Sequence, residues 1–356
     1  MKLLIITQKV DRNDPVLGFL HGWIIALAQR FESIVVICLE QGEYDFPSNV
    51  RVLSLGKSSS AEASVGEGVW VSRIKYVINF YKYIWQERKN YDDVFVHMNQ
   101  EYILLAGKLW WFLGKKVYMW RNHHAGSWLT DVAAFFCTKV FCTSKYSYTA
   151  KYKKTILMPV GVDTDLFKKD DSITRLPRSI LFLGRISPVK KVHIFIEALN
   201  ELKIKGVDFI ASIYGDPLAG DLDYYQKLKK DIVDFDLSDQ VHFYPGVPNR
   251  ETVQIYNQHE LFVNLSSSGM YDKTIFEAMA CDCVVVVSND NLIGLAPSNC
   301  LVRQDDINDL VVKLTHLLNS KPEELSRIKL AFGVILRDNS LVALVDGLLN
   351  NVQIKK

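Results

Sequence analysis

No uninterrupted apolar run in this chain approaches the ~20 residues that a helix needs to cross a bilayer, so no segment is expected to span a membrane. The opening apolar stretch, residues 3–6, is too short for the core of a secretory signal, and no cleavage-like site follows it. A cytoplasmic protein is the expectation. An excess of one charge is missing too: the net charge of +2 is too small to point to nucleic acid. Cysteine is sparse, and Cys38, Cys137, Cys142, Cys281, Cys283 and Cys300 sit mostly inside apolar runs, as reduced, buried thiols do. Cys281 and Cys283 lack the spacing of a zinc knuckle, and no His pair completes them. The G-x-G-x-x-G fingerprint is absent as well, which counts against a dinucleotide and against a nicotinamide oxidoreductase.

What the chain does hold is 356 residues, 49% of them hydrophobic and 23% charged, enough for two well-packed soluble domains. Short apolar runs at 3–7, 35–39, 94–97, 117–120, 140–144 and 156–159 read as buried parallel strands. Between the first two, Phe19, Leu20, Trp23, Ile24, Leu27 and Phe31 fall at helical spacing. The same grammar restarts after a charged, Pro-containing stretch at 168–178, with runs at 180–183, 209–214, 241–243, 261–265, 284–287 and 301–302. Strands alternating with helices in both halves predict two doubly wound α/β domains facing each other across a cleft. The boundaries expected are 1–168 and 172–336, with 337–356 as a final segment. The polar segment 57–68 reads as mobile.

Several residues in this frame could carry chemistry. The run ending at Leu265 leads through Ser266, Gly269, Met270 and Tyr271 into a helix that begins near Asp272 or Lys273. A loop of small residues ending in a helix N-terminus is an anion cradle, because free N–H groups and the helix dipole point the same way. Glu277, about one turn further in, could accept two neighbouring hydroxyls, as on a ribose; the plain alternative is a solvated surface Glu. Arg185 and Lys190 follow another strand on a Gly- and Pro-containing loop, where two cations would suit a diphosphate. His97, His123 and His124 fall just past strands of the first half, at the edge where open α/β sheets bind ligands. Metal is disfavoured there, since adjacent His123 and His124 are expected to point apart and no acid flanks them. Residues 70–89 interleave aromatic and basic side chains, as a helix lying on a membrane surface does, or as a packed helix with snorkelling Lys and Arg does.

Three stretches resemble a known family: 182–190 with Gly184, Arg185 and Lys190; 159–167 with Pro159, Gly161 and Asp163; and 276–281 with Glu277. They look like the signatures of retaining GT-B glycosyltransferases of the family-four, glycogen-synthase-like group (glycosyl transferases group 1), and the likeness extends over nearly the whole chain. The resemblance implies two Rossmann-like domains, an N-terminal acceptor side, and a final segment that returns to the first domain. It implies that Arg185 and Lys190 hold the diphosphate of a nucleotide-sugar donor and Glu277 its ribose, with Tyr244, Gly246 and Val247 bordering the base. Gly18 would lie over the diphosphate from the first domain. His123 would face the transferred sugar, with His124 as the fallback. The family often shows Glu-x7-Glu, and here the earlier position is Gly269, so amides of Gly269, Met270 and Tyr271 would replace that carboxylate. Asp272 is an additional candidate contact, and Lys273 and Thr274 belong to the same helix start; Lys191 replaces a common Gly.

The expected activity is metal-independent transfer of a hexose, with retention, from a nucleoside-diphosphate sugar to a glycan or lipid-linked hydroxyl in envelope polysaccharide or glycoconjugate synthesis. The expected setting is the inner face of the cytoplasmic membrane, touched through 70–89, with no cofactor beyond the donor substrate. The strongest rival is a non-catalytic nucleotide-sugar-binding subunit, because Gly269 could mark lost activity. A glycosidase would need paired carboxylates ~5–10 Å apart, and Glu277 has no evident partner.

Overall fold

A computed structural model describes residues 1–57, 69–266 and 269–352; residues 58–68 of the segment expected to be mobile lie outside the described residues. The chain divides into two compact units, Met1–Pro159 with Leu344–Lys356, and Val160–Ala343.

The first unit runs β1 (Lys2–Val10), α1 (Phe19–Ala28), β2 (Ser33–Gln41), β3 (Val50–Lys57), α2 (Val69–Gln86), β4 (Asp93–His97), α3 (Glu101–Phe112), β5 (Lys116–Trp120), α4 (Trp128–Phe136), β6 (Lys139–Cys142) and β7 (Thr155–Leu157). Its strands form one sheet in the order β3-β2-β1-β4-β5-β6-β7. β1 pairs in parallel with both β2 and β4, and its apolar run Leu3, Leu4, Ile5 and Ile6 is accordingly buried on both faces. In α1, Leu20, Trp23, Ile24 and Leu27 turn one stripe to the core. On one face of the sheet, Phe80 and Ile84 of α2, Trp110 of α3 and Ala133 of α4 share a core with Leu4, Ile6, Val96 and Met119. β3 went unanticipated because Val50, Arg51, Val52, Leu53 and Ser54 interleave polar with apolar residues, as suits a half-exposed edge strand.

The second unit runs β8 (Ser179–Leu183), α5 (Val192–Ile204), β9 (Ile210–Tyr214), α6 (Leu222–Asp234), β10 (Val241–Tyr244), α7 (Thr252–Gln258), β11 (Leu261–Asn264), α8 (Lys273–Ala280), β12 (Val284–Val287), α9 (Ile307–Leu318) and α10 (Pro322–Asp338). α11 (Leu341–Val352) follows. The sheet order is β10-β9-β8-β11-β12, all parallel. The pair expected as a last strand, 301–302, forms only an isolated bridge from Leu301 to Val287. The division between units falls after Pro159, ahead of the expected 168, because Val160, Val162 and Phe167 are buried in the second core. The charged stretch at 168–178 is fastened to this unit as well, with Asp170 N–H on Asn257 Oδ1 at 2.9 Å and Leu176 N–H on Gln258 O at 2.8 Å. From Leu344 the chain groups with the first unit, where Asp346 meets Arg30 at 2.6 Å and Asn351 accepts from Lys139 at 3.0 Å.

All six cysteines are buried and free. Burial pushes the thiols up, Cys38, Cys137 and Cys300 to about 12 and Cys283 to about 11.

At the ends of β8 and β9 two backbones touch. A Cβ on Gly215 would stand 2.0 Å from the carbonyl oxygen of Gly184, and Gly215 has φ +148°, where side chains are strained. Gly215→Ala is therefore expected to cost about 1–3 kcal/mol of stability. Gly333→Ala in α10, where a Cβ meets nothing within 4 Å, is expected to be neutral or stabilising. Urea unfolding of both variants checks this, and an equal effect at the two positions would contradict it.

Candidate functional site

The register of the second sheet brings its carboxyl ends into line: Leu183 pairs with Tyr214, Tyr214 with Tyr244, and Phe182 with Val263. Loops leaving β8, β9, β10 and β11 therefore share one edge, the place where open α/β sheets hold ligands. Tyr214 and Tyr244 stack with centroids 4.5 Å apart. Asp216 accepts from the N–H of Gly246 at 3.1 Å, and a Cβ on Gly246 would come within 2.7 Å of that carboxylate. The expected base-bordering residues Tyr244 and Gly246 are exposed, with Val247 half-buried. Asp216, which shapes this corner, was not anticipated, because it stands alone after β9 with no paired signal.

The loop after β8 is pinned by Ile186, whose N–H donates to Asp216 O at 3.1 Å. A short 3-10 turn, Pro188–Lys190, follows, and Lys191 adopts φ +57° before α5 begins. Lys191, which stands where the resemblance led a Gly to be expected, pairs with Asp305 at 2.6 Å. Arg185 is exposed, and among the described residues it makes no ion pair. Lys190 is instead held by an ion pair with Asp272.

Asp272 is the N-cap of α8. Its Oδ1 accepts from Thr274 N at 3.3 Å and Thr274 Oγ1 at 2.9 Å, and its Oδ2 from Asn264 Nδ2 at 3.0 Å. Burial raises this carboxyl, but the Lys190 charge and these hydrogen bonds outweigh it and bring the pKa down from 3.8 to about 2. The carboxylate is thus spent on shaping the site. The carbonyls of the preceding loop are gripped from behind, Met270 O by Asn289 Nδ2 at 2.7 Å and Gly269 O by Asn291 Nδ2. Gly269 has φ +64°, which a Gly adopts freely. Among the described residues, the N–H groups of Met270 and Tyr271 meet no acceptor. Tyr271 itself is anchored, its hydroxyl donating to Asn291 O at 3.1 Å.

One turn into α8, Glu277 is buried. Its Oε1 accepts from Asn249 Nδ2 at 3.1 Å and its Oε2 from the Tyr256 hydroxyl at 3.2 Å, so each oxygen keeps one further lone pair. Lys273, four residues earlier, donates to Gly161 O at 2.8 Å. Burial pushes Glu277 up and Lys273 down, and each charge works against the other's shift. Among the described residues, the buried hydroxyls of Ser187, Ser266 and Ser288 at this edge meet no partner. Asn264, Asn249, Tyr256, Asn289 and Asn291 were all missed by sequence reasoning; a buried Asn closing an apolar strand run, as Asn264 does, was the one available signal.

In the first unit the candidate residues lie at the matching edge. Gly18 caps α1 where a Cβ would stand 2.5 Å from Asp14 O, and Asp14 Oδ1 accepts from Val16 and Leu17 N–H at 2.9 and 2.7 Å. His97 is buried edge-on against Phe19 and Trp23. His123 and His124 are exposed, and their rings stack with centroids 4.6 Å apart. That corrects the expectation that they point apart: strand alternation does not apply in this loop, where Tyr148 N–H donates to His123 O at 2.9 Å. Ala125 meets His123 Nδ1 with both its N–H, at 2.9 Å, and its carbonyl oxygen, at 3.1 Å, so this residue holds the ring in place in either tautomer. Among the described residues, no group of three His, Cys, Asp or Glu side chains could hold a metal ion.

Residues 163–329 match the family model described as glycosyl transferases group 1. A D-inositol 3-phosphate glycosyltransferase of Mycolicibacterium smegmatis is 28% identical over 179 residues, 47% of this chain and 40% of that protein. The chain thus spans about two-fifths of the length of that curated relative. Among solved structures, Anabaena HepE in complex with UDP and glucose superposes with a TM-score of 0.76, at 17% identity and over 99% of both chains. A sucrose-phosphate synthase of Thermosynechococcus elongatus gives 0.77 at 14% identity, over 99% of this chain and 98% of that one.

The depressed Asp272 carboxyl predicts a pH signature. Its ionised form stabilises the fold fully above the unfolded value of 3.8, and that stability is lost as pH falls toward about 2. Asp272→Asn is expected to cost about 2 kcal/mol at neutral pH, a difference that shrinks to nothing in acid. Urea titrations of both proteins across the acid range measure it, and a gap that stays constant with pH would refute the ion-pair account.

Proposed function

We propose that this chain, whose residues 163–329 match the model of glycosyl transferases group 1 and whose two units have the GT-B fold, is a retaining glycosyltransferase using a nucleoside-diphosphate sugar. The observation that carries the reading is the pinning of Lys190 to the N-cap of α8 beside the unengaged amides of Met270 and Tyr271. A fixed cation, an exposed one on Arg185 and a helix N-terminus at one sheet edge make a receptor for two phosphates. Glu277 keeps lone pairs for the ribose hydroxyls, and the stacked Tyr214 and Tyr244 with Gly246 and Val247 border the base. From the first unit, Gly18 would serve the diphosphate and His123 the transferred sugar.

Transfer breaks the bond from the anomeric carbon to the leaving phosphate oxygen and forms one to the acceptor oxygen on the same face. The acceptor's proton passes to the leaving phosphate. Arg185, Lys190 and the helix amides stabilise the charge that develops there, the function a metal ion would otherwise serve. UDP is the first nucleotide to test, since HepE is solved with UDP and glucose. The acceptor is a hydroxyl of a glycan or a lipid-linked glycan, in polysaccharide or glycoconjugate synthesis on the inner face of the cytoplasmic membrane, with peripheral contact through residues 70–89.

Arg185→Ala and Lys190→Ala are each expected to lower turnover about 10²–10³-fold. Circular dichroism should show the Arg185 variant folded as wild type, since that side chain is exposed. EDTA is expected to leave the wild-type rate unchanged. The assay is release of nucleoside diphosphate from a panel of donors, with the anomeric configuration of the product read by NMR. Donor binding with no release of nucleoside diphosphate, with or without acceptor, would favour a non-catalytic donor-binding subunit, which Gly269 in place of the family's Glu allows. Near wild-type rates in both variants would refute the assigned roles.

A further inference from the structure

Away from the sheet edges, the outer side of α2, α3 and α4 has a surface that the packing of the first unit leaves unexplained. In α2, Val71, Ile74, Ile78, Tyr81 and Trp85 recur at steps of three and four residues, and their exposures are 60%, 58%, 61%, 38% and 51%. Phe80 and Ile84 on the same helix are fully buried in the core, so the helix is apolar on two sides. The outer stripe does not end with that helix. Trp111 and Phe112 close α3 at 70% and 82% exposure, and Trp128 and Phe135 of α4 stand at 70% and 77%. The helices are neighbours: Tyr81 donates to Leu105 O at 2.7 Å, and Gly107 of α3 lies so close to Phe136 of α4 that a Cβ would approach it to 2.8 Å. Single exposed apolar residues are ordinary, but a continuous surface of this kind marks a binding face.

Charge selects the occupant. α2 carries Arg73, Lys75 and Lys82 and no acid. Lys89 just beyond it is exposed, and the Arg88 guanidinium lies 4.4 Å from the centroid of the Trp85 ring. On α4 the acid Asp131 is already paired with Lys151 at 2.8 Å. A second copy seated on this face about a two-fold axis would bring like cations together. An anionic lipid surface instead meets Lys and Arg with headgroups while Trp, Tyr and Phe enter the interface.

We propose that the outer side of α2, α3 and α4 is one docking surface for a bilayer containing anionic lipid, with the helices lying flat on it. This rests on the membrane contact proposed above for residues 70–89, enlarges it to three helices and names the lipid charge. It requires no catalytic step.

The full chain is sedimented with phosphatidylcholine vesicles, with and without phosphatidylglycerol, at low and at raised salt. Binding is expected to be about tenfold stronger with phosphatidylglycerol and to weaken with salt. Ile78→Glu on α2 and Phe135→Glu on α4 are each expected to cut it several-fold without lowering the melting temperature. Equal binding to both vesicle types, or none, overturns the proposal. Loss in Ile78→Glu with Phe135→Glu unchanged confines the contact to α2 and overturns the three-helix surface. A lipid-free dimer by light scattering that Ile78→Glu dissolves assigns the face to a second copy and also overturns it. Donor binding, read as a thermal shift, is expected to be the same in both variants, so a failure here and a failure of the transferase reading are told apart.

Discussion

One carboxylate governs the candidate site. Asp272 caps α8, receives Asn264 from the end of β11 and Thr274 from its own helix, and holds Lys190 from the loop after β8. Three separate pieces of chain are thereby fixed around a single point of negative charge. Lys190 is held by Asp272, whereas Arg185 is exposed and makes no ion pair among the described residues. The two cations that the motif presents as equals are therefore different in kind: one is fixed and partly neutralised, the other exposed.

The second constraint is backbone shape. Gly184 and Gly215 touch where β8 and β9 end, and Asp216 then turns back to hold both Ile186 and Gly246. A side chain on Gly215 would strike the Gly184 carbonyl, so the corner bordering Tyr244 is built from main chain and one carboxylate. Behind α8, Asn289 and Asn291 grip the carbonyls of Met270 and Gly269. With the carbonyls engaged from one side, the loop's amides are turned to the other.

Much of this frame was legible beforehand, because buried parallel strands announce themselves as short apolar runs. The strands around Leu4, Val96, Leu181 and Val285 needed nothing more than that pattern. β3 escaped it, since an edge strand with Arg51 and Ser54 need not be apolar. The limits of the second unit escaped it too: Val160 and Phe167 are too few to register as a core segment, and only packing assigns them. At the site, the glycines and cations of the loops stood out by type and spacing. Asn249, Tyr256, Asn264 and Asn289 did not, because a polar residue that supports another differs from a surface one only in where the fold puts it. His123 and His124 misled for a related reason, since alternation describes strands and these two sit in a loop.

The six thiols have a practical consequence. Each is buried, and burial holds each well above the pH at which a thiolate forms readily. Both units carry some: Cys38, Cys137 and Cys142 in the first, Cys281, Cys283 and Cys300 in the second. Alkylating reagents can reach them only when the surrounding structure opens, so the rate of labelling at each cysteine is a clock for local opening. Mass spectrometry of the native protein could then rank the breathing of the two units without adding a single probe.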